Sequence, residues 1–139
     1  MNFFYYFICA LLAFVGGAFS FYFNGVYKGT LEPNQAWVPN RCQIDNNRCT
    51  AIVDTKYGRI LGLPNSQLGG YFLFIYTLTL IGVPLGMLNP LIPLYIGAFT
   101  ILLAIYLVFG LFKLKTGCPI CLTVHSLNTV IFILQLIIY

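Results

Sequence analysis

Hydrophobic residues in this chain do not alternate with polar ones at a strand or surface-helix period; they run on. Apolar stretches cover residues 2–23, 68–88 and 91–112 almost without a break. A fourth, 118–139, is interrupted only by Thr123, His125, Ser126, Asn128, Thr129 and Gln135. Runs of about 20 residues, at about 1.5 Å of rise per residue, match a hydrocarbon core roughly 30 Å thick. Backbone polar groups in lipid must be satisfied within the segment, so the pattern predicts helices. The expected fold is an all-α membrane protein, a four-transmembrane-helix bundle formed as one domain over residues 1–139. The first run has no Lys or Arg before it and is longer than the apolar core of a leader, so it reads as a span. Little more than Leu88, Asn89 and Pro90 joins the second run to the third, which predicts a tight antiparallel hairpin.

Residues 24–67 are different. This long extramembrane loop holds eight of the ten charged residues and the only tryptophan. Within it Val53, Tyr57, Ile60 and Leu61 recur at helical spacing, with Asp54, Thr55, Lys56 and Arg59 between them. That spacing predicts a short surface helix lying flat on the bilayer, ended by Gly62 and Pro64. With four spans, the loop and the "KLKTG" turn before the last span fall on the same side of the membrane.

Composition agrees with the pattern. The chain is 60% hydrophobic and 7% charged, against about 25% charged residues in soluble domains. The net charge of +4 forms no basic stripe, so nucleic acid is not an expected partner. Charge and chemistry disagree on orientation. All seven Lys and Arg lie on the side of the long loop, which the positive-inside rule would place in the cytoplasm. The cysteines on that side favour an oxidising compartment. The reading adopted is a multi-pass inner (cytoplasmic) membrane protein with its site facing the periplasm or outside, the inverted orientation staying open.

The chemistry lies in the cysteines. Cys9 sits alone among Phe, Ile and Leu and reads as a small hydrophobe. In "GCPIC", Pro119 suits the first position of a helix, so Cys118 falls at the N-cap, where unpaired N–H groups and the macrodipole favour a thiolate. Cys121 lies one turn deeper on the same face, nearer to lipid. The expectation is that one sulfur meets water and the other a lipid-soluble partner. "CQIDNNRC" supplies a second couple, Cys42 and Cys49, with six residues between them. Two couples on one side suit a relay of thiol–disulfide exchange. Two alternatives stand beside it: a zinc site, for which six intervening residues exceed the usual ligand spacing, and disulfides that only staple loop to helix. A thioredoxin-like fold does not fit, because the CxxC opens an apolar helix.

Taken together, these motifs make the chain resemble the vitamin K epoxide reductase family over nearly its whole length. The residues carrying the resemblance are Cys42 and Cys49, Thr55 six residues on, "PNSQLG" from Pro64 to Gly69, and "CPIC" from Cys118 to Cys121. The resemblance implies a helix bundle around a quinone, ubiquinone or menaquinone, used as co-substrate without a metal. It implies electrons supplied by a thioredoxin-like, DsbA-like partner, here expected to be a separate protein. Cys42, Cys49, Cys118 and Cys121 would be catalytic, Asn65 would bind a quinone carbonyl, and Thr55 would be auxiliary. Where vertebrate members carry a tyrosine one turn beyond the CxxC, this chain has His125, so plain quinone reduction is expected rather than epoxide reduction. His125, four residues after Cys121, is an ionisable group inside a membrane and therefore a candidate for quinone binding or proton donation; a hydrogen bond to a neighbouring helix is the plainer alternative. Tyr71, Phe72, Phe74 and Tyr76 could wall the quinone pocket that the resemblance implies, but aromatics at that depth are usually packing or interface anchors, and they are not named as site residues. A scaffold with structural disulfides and a quinone-binding sensor remain the non-enzymatic alternatives.

Overall fold

The computed structural model describes residues 2–40, 52–115 and 118–139. Four helices dominate it: α1 (Asn2–Lys28), α2 (Asn65–Gly82), α3 (Leu91–Lys113) and α4 (Pro119–Ile138). Lys28 meets Gln67, Gly16 faces Leu73, and Asn2 reaches the Ile138 carbonyl, so α1 runs antiparallel to both α2 and α4. Gly97, near the start of α3, faces Phe132 and Gln135, near the end of α4, so these two helices are antiparallel as well. The ends of α1 and α3 and the starts of α2 and α4 therefore share one end of an up-and-down bundle.

Helices α1, α3 and α4 are each long and apolar enough to cross a membrane. The chain is a multi-pass, all-α membrane protein. Helix α2 begins earlier than the apolar run, at Asn65, and its first turn is the polar Asn65-Ser66-Gln67. It also stops at Gly82 rather than at 88. Pro84 has no N–H to continue the helical ladder, and Gly86, at φ 74°, closes a turn in which Met87 N–H bonds the Gly82 carbonyl. The short hairpin expected around Leu88-Asn89-Pro90 is instead a connection running from Val83 to Pro90.

Small residues set the helix spacing. Helix α1 buries Ala10, Ala13, Gly16, Gly17 and Ser20 along one face, and its most extensive contact is with α2. In lipid the helices gain little from hydrophobic association, so close backbone approach and dispersion do the work. A Cβ on Gly17 would sit 3.1 Å from the Phe74 ring. A polar node ties the far end of the bundle: buried Tyr76 Oη donates to Gln135 Oε1 at 2.6 Å. Tyr76 is thus a core residue with no exposure, not an interface anchor.

The surface helix expected over 53–61 does not form. Residues Ile52–Asp54 make a single 3-10 turn, and Arg59–Ile60 pair antiparallel with Leu63–Pro64. The two linking residues, Leu61 and Gly62, both have positive φ, at 53° and 81°, the backbone of a tight hairpin turn. Gly58 is obligatory here, because a Cβ would stand 1.9 Å from the Ile52 carbonyl oxygen. Val53 and Tyr57 are buried at 2% and 5% exposure, whereas Leu61 is 94% exposed. The apolar side of the segment faces into the bundle instead of lying on lipid.

Replacing Gly97 tests the polar node, since a Cβ there would meet Gln135 Oε1 and Tyr76 Oη at 2.8 Å and Phe132 at 3.0 Å. Gly97→Ala is expected to cost about 1–3 kcal/mol through overpacking. Gly70→Ala, whose nearest neighbours stand at 3.8 Å, is expected to cost nothing. Thermal unfolding of the two variants in detergent checks this.

Candidate functional site

The shared end of the bundle encloses a cavity of about 320 Å³. Its walls come from all four helices, and Ile52, Val53, Tyr57 and Gly58 close it as a lid. The lid is seated by burial and backbone bonds. Asn65 N–H donates to the Gly58 carbonyl at 2.9 Å and Asn65 Nδ2 to the Tyr57 carbonyl at 2.5 Å. Arg59 Nε donates to the Val53 carbonyl at 3.0 Å. Tyr57 lies over α3, its ring 5.4 Å from that of Tyr106. Outside, Tyr27 Oη donates to Asp54 Oδ1 at 3.0 Å and accepts from Arg59 Nη2 at 3.0 Å. The Arg59–Asp54 pair itself is 3.8 Å apart and largely solvated, worth at most about 1 kcal/mol.

Helix α4 supplies the chemistry. Cys118 is its N-cap, with φ −127° and ψ 96°, the extended backbone a following proline favours. Contrary to expectation Cys118 does not meet water: it has no exposure at all. Cys121, on the next turn, lines the cavity, as does His125 one turn deeper. The polar residues of α4 between Cys121 and Ile131 divide into two sets. Thr123, Ser126 and Thr129 return their hydroxyls to the carbonyls of Pro119, Leu122 and His125 at 2.8–2.9 Å, which satisfies them inside lipid. His125 and Asn128 do not. His125 Nδ1 and Asn128 Oδ1 are buried and have no hydrogen-bond partner among the described residues.

The other expected residues fall as follows. Asn65 opens α2 and lines the cavity; its Oδ1 is likewise buried and unpartnered. Thr55 is not in the cavity wall, and its Oγ1 is spent on the Ile52 carbonyl at 2.7 Å, closing the 3-10 turn. Cys42 and Cys49 lie outside the described residues. No group of three or more His, Cys, Asp or Glu capable of holding a metal occurs among the described residues. Among the wall residues not named as site residues from the sequence are Phe72 and Asn128. Phe72 packs on Phe99 at 5.8 Å and faces the cavity. Asn128 carried a usable signal: it stands seven residues after Cys121 and three after His125, on one face of an intramembrane helix.

This arrangement meets an independent comparison. The family model described as "Vitamin K epoxide reductase family" matches residues 7–136. The chain belongs to the vitamin K epoxide reductase family. No curated protein and no solved structure matches it. Membership makes this vitamin K epoxide reductase family protein a quinone-linked thiol oxidoreductase of the membrane. The CxxC pair of the family protein thus opens a helix whose next two turns place His125 and Asn128 in the lining of a largely apolar cavity.

The seat of the lid in this family member is testable at Gly110, where a Cβ would fall 2.5 Å from the Tyr57 ring. Gly110→Ala is expected to displace Tyr57 and raise the rate at which Cys121 reacts with a soluble maleimide by about tenfold, the equivalent of about 1.4 kcal/mol of lost seating. Peptide-resolved mass spectrometry measures it, and an unchanged rate would show that the lid does not gate the cavity.

Proposed function

We propose that this protein oxidises a separate thioredoxin-like, DsbA-like partner and passes the electrons to a membrane quinone, supporting disulfide bond formation. The observation that carries the reading is Cys121 in the wall of a lid-covered apolar cavity with His125 beside it. At about 320 Å³ the cavity lies at the small end of ligand pockets, roughly 300–1,000 Å³. That suits the ring of a quinone, with its tail left to the lipid. In this reading α2 is the fourth span and residues 1–139 act as one membrane domain.

The relay runs by thiolate attack through mixed disulfides. The reduced partner attacks the Cys42–Cys49 disulfide at Cys42. Cys49 is released as a thiolate and attacks the Cys118–Cys121 disulfide at Cys118. The burial of Cys118 supports that order, because a sulfur without exposure is reached by a cysteine of its own chain and not by a protein in solution. The partner's second thiol then attacks its mixed disulfide with Cys42, leaving the partner oxidised and releasing the Cys42 thiolate, which attacks the Cys49–Cys118 disulfide at Cys49 and leaves Cys118 and Cys121 as a dithiol. Cys121 then faces the ring, and the pair closes to a disulfide again. The partner dithiol has lost two electrons and two protons; the quinone has gained both as hydroquinone.

Around this transfer the protein supplies orientation and dryness. Asn65, fixed by its bonds to Tyr57 and Gly58, holds one ring oxygen beneath the lid. His125 sits where it can pass a proton between Cys121 and the ring. The lid keeps water from the transfer, and its attachment to Asn65 couples closure to ligand contact. An orientation facing the periplasm or outside follows from the partner's need for an oxidising compartment.

The test is quinone reduction by the purified protein with a reduced thioredoxin-like donor, followed by absorbance. Cys121→Ala is expected to abolish turnover, and His125→Leu to lower it about 10²-fold, in the range of a lost proton donor. Full turnover in Cys121→Ala would sink the relay. A natively folded wild type that turns over no quinone would leave the disulfides as structural staples.

A further inference from the structure

Five basic residues are described at the mouth of the bundle: Lys28, Lys56, Arg59, Lys113 and Lys115. Two of them are spent on the protein. Lys28 Nζ donates to Gln67 Oε1 at 3.1 Å, and Arg59 donates to the Val53 and Gly62 carbonyls and the Tyr27 hydroxyl. Lys56, Lys113 and Lys115 are exposed and meet no carboxylate among the described residues. Lys56 instead holds its Nζ 5.1 Å from the centroid of the Tyr57 ring. That ring is pressed against Gly110 of α3, and Lys113 follows Gly110 by three residues on the same helix face. Two ammonium groups thus belong to the two sides of one contact, Lys56 to the lid and Lys113 to the helix. Tyr106 and Phe109 continue the stripe below them, 43% and 57% exposed. Helix α3 has 23 residues, about 35 Å at roughly 1.5 Å per residue, so Lys113 stands where the helix leaves the hydrocarbon.

We propose that this corner of the mouth is a docking site for an anionic phospholipid, which fastens the lid to α3. The lipid phosphate accepts from Lys56 and Lys113 together, and the acyl chains lie along Tyr106 and Phe109. Lys115, two residues further on, adds to the attraction. Two observations choose this occupant. Cations without a counter-ion at headgroup level ask for an anion, and juxtamembrane basic groups are drawn to acidic lipid. The exposed aromatic face directly below asks for hydrocarbon on the same molecule. A free phosphate answers only the first. The consequence for the lid follows from where the two lysines are attached: an anion shared between them resists separation of Tyr57 from Gly110, and so resists opening of the cavity that holds Cys121. The inference rests on the seat of the lid and not on the quinone reading, so it stands or falls without reference to turnover.

The experiment places the whole protein, reduced, in nanodiscs of phosphatidylcholine alone or of phosphatidylcholine mixed with phosphatidylglycerol. Cys121 is labelled with N-ethylmaleimide, a neutral reagent that membrane charge does not concentrate, and the rate is read by peptide-resolved mass spectrometry. In the wild type, phosphatidylglycerol is expected to slow labelling about tenfold, the scale of one to two basic groups at an acidic surface. Lys56→Gln and Lys113→Gln are each expected to remove about fivefold of that protection, whereas Lys56→Arg, which keeps the charge, retains it. Lys28→Gln loses the same charge at the same end of the bundle but away from the lid contact, and must keep the full lipid effect. Glycerol phosphate added to the neutral nanodiscs is expected to protect nothing. Equal labelling of the wild type in the two lipids would overturn the proposal. So would a lipid effect of the same size in the wild type, Lys56→Gln and Lys113→Gln, which is the mark of a general surface potential or surface pH. Protection by glycerol phosphate equal to that by the lipid would make the occupant a free anion and overturn the docking site as stated.

Discussion

Everything in this protein depends on how a polar atom is satisfied where there is no water. Helix α4 shows the constraint most plainly. Its hydroxyls fold back on their own helix and are silent. Gln135 is answered by Tyr76 from α2, with Gly97 giving α3 room to pass both. Two of the atoms left unanswered among the described residues, on His125 and Asn128, belong to residues that line the cavity with Cys121, while Gln135 keeps its Nε2 unpartnered away from it. A membrane helix can leave such groups unpaired only at a cost of about a kilocalorie or more each, which is why the function proposed above is built on this cavity.

The same constraint organises the lid. Residues 52–64 have too few apolar positions to form a span and too many to stay in water. They bury Val53 and Tyr57 into the bundle mouth, and their backbone is held from below by Asn65, the first residue of α2. The Asn65 side chain fastens the lid through its nitrogen and belongs to the cavity lining as well. In the function proposed above, closing the site and contacting what lies inside it fall to the same residue.

Much of this was legible in the sequence. The uninterrupted apolar runs located four helices, because in lipid backbone satisfaction leaves little choice, although α1 continues to Lys28 and α2 stops at Gly82. The cysteine spacing and the "PNSQLG" stretch pointed to the family. Other features were hidden for identifiable reasons. Helical spacing at Val53, Tyr57 and Ile60 was a coincidence of a hairpin, since Leu61 and Gly62 turn at positive φ, and a period of three or four in so short a segment does not separate helix from turn. Cys118 was expected in water because an N-cap usually is; burial at the bundle mouth is a tertiary fact. Asn128 looked like one more polar interruption among six until the back-bonded hydroxyls were separated from the unpartnered amide. Phe72 could not be told from its neighbours Tyr71 and Phe74, as only packing decides which aromatic faces the cavity. The roles of Cys42 and Cys49, outside the described residues, rest on the sequence and the family.

The central claim is that the cavity beneath the lid receives the quinone. Photolabelling the protein in nanodiscs with an azide-bearing naphthoquinone, followed by peptide mapping, tests it most directly. The account predicts adducts on the lid around Tyr57 and on the first three turns of α4, suppressed by excess unlabelled quinone. Suppressible adducts confined to the opposite end, in the groove between Tyr6, Val83 and Ile138, would contradict it.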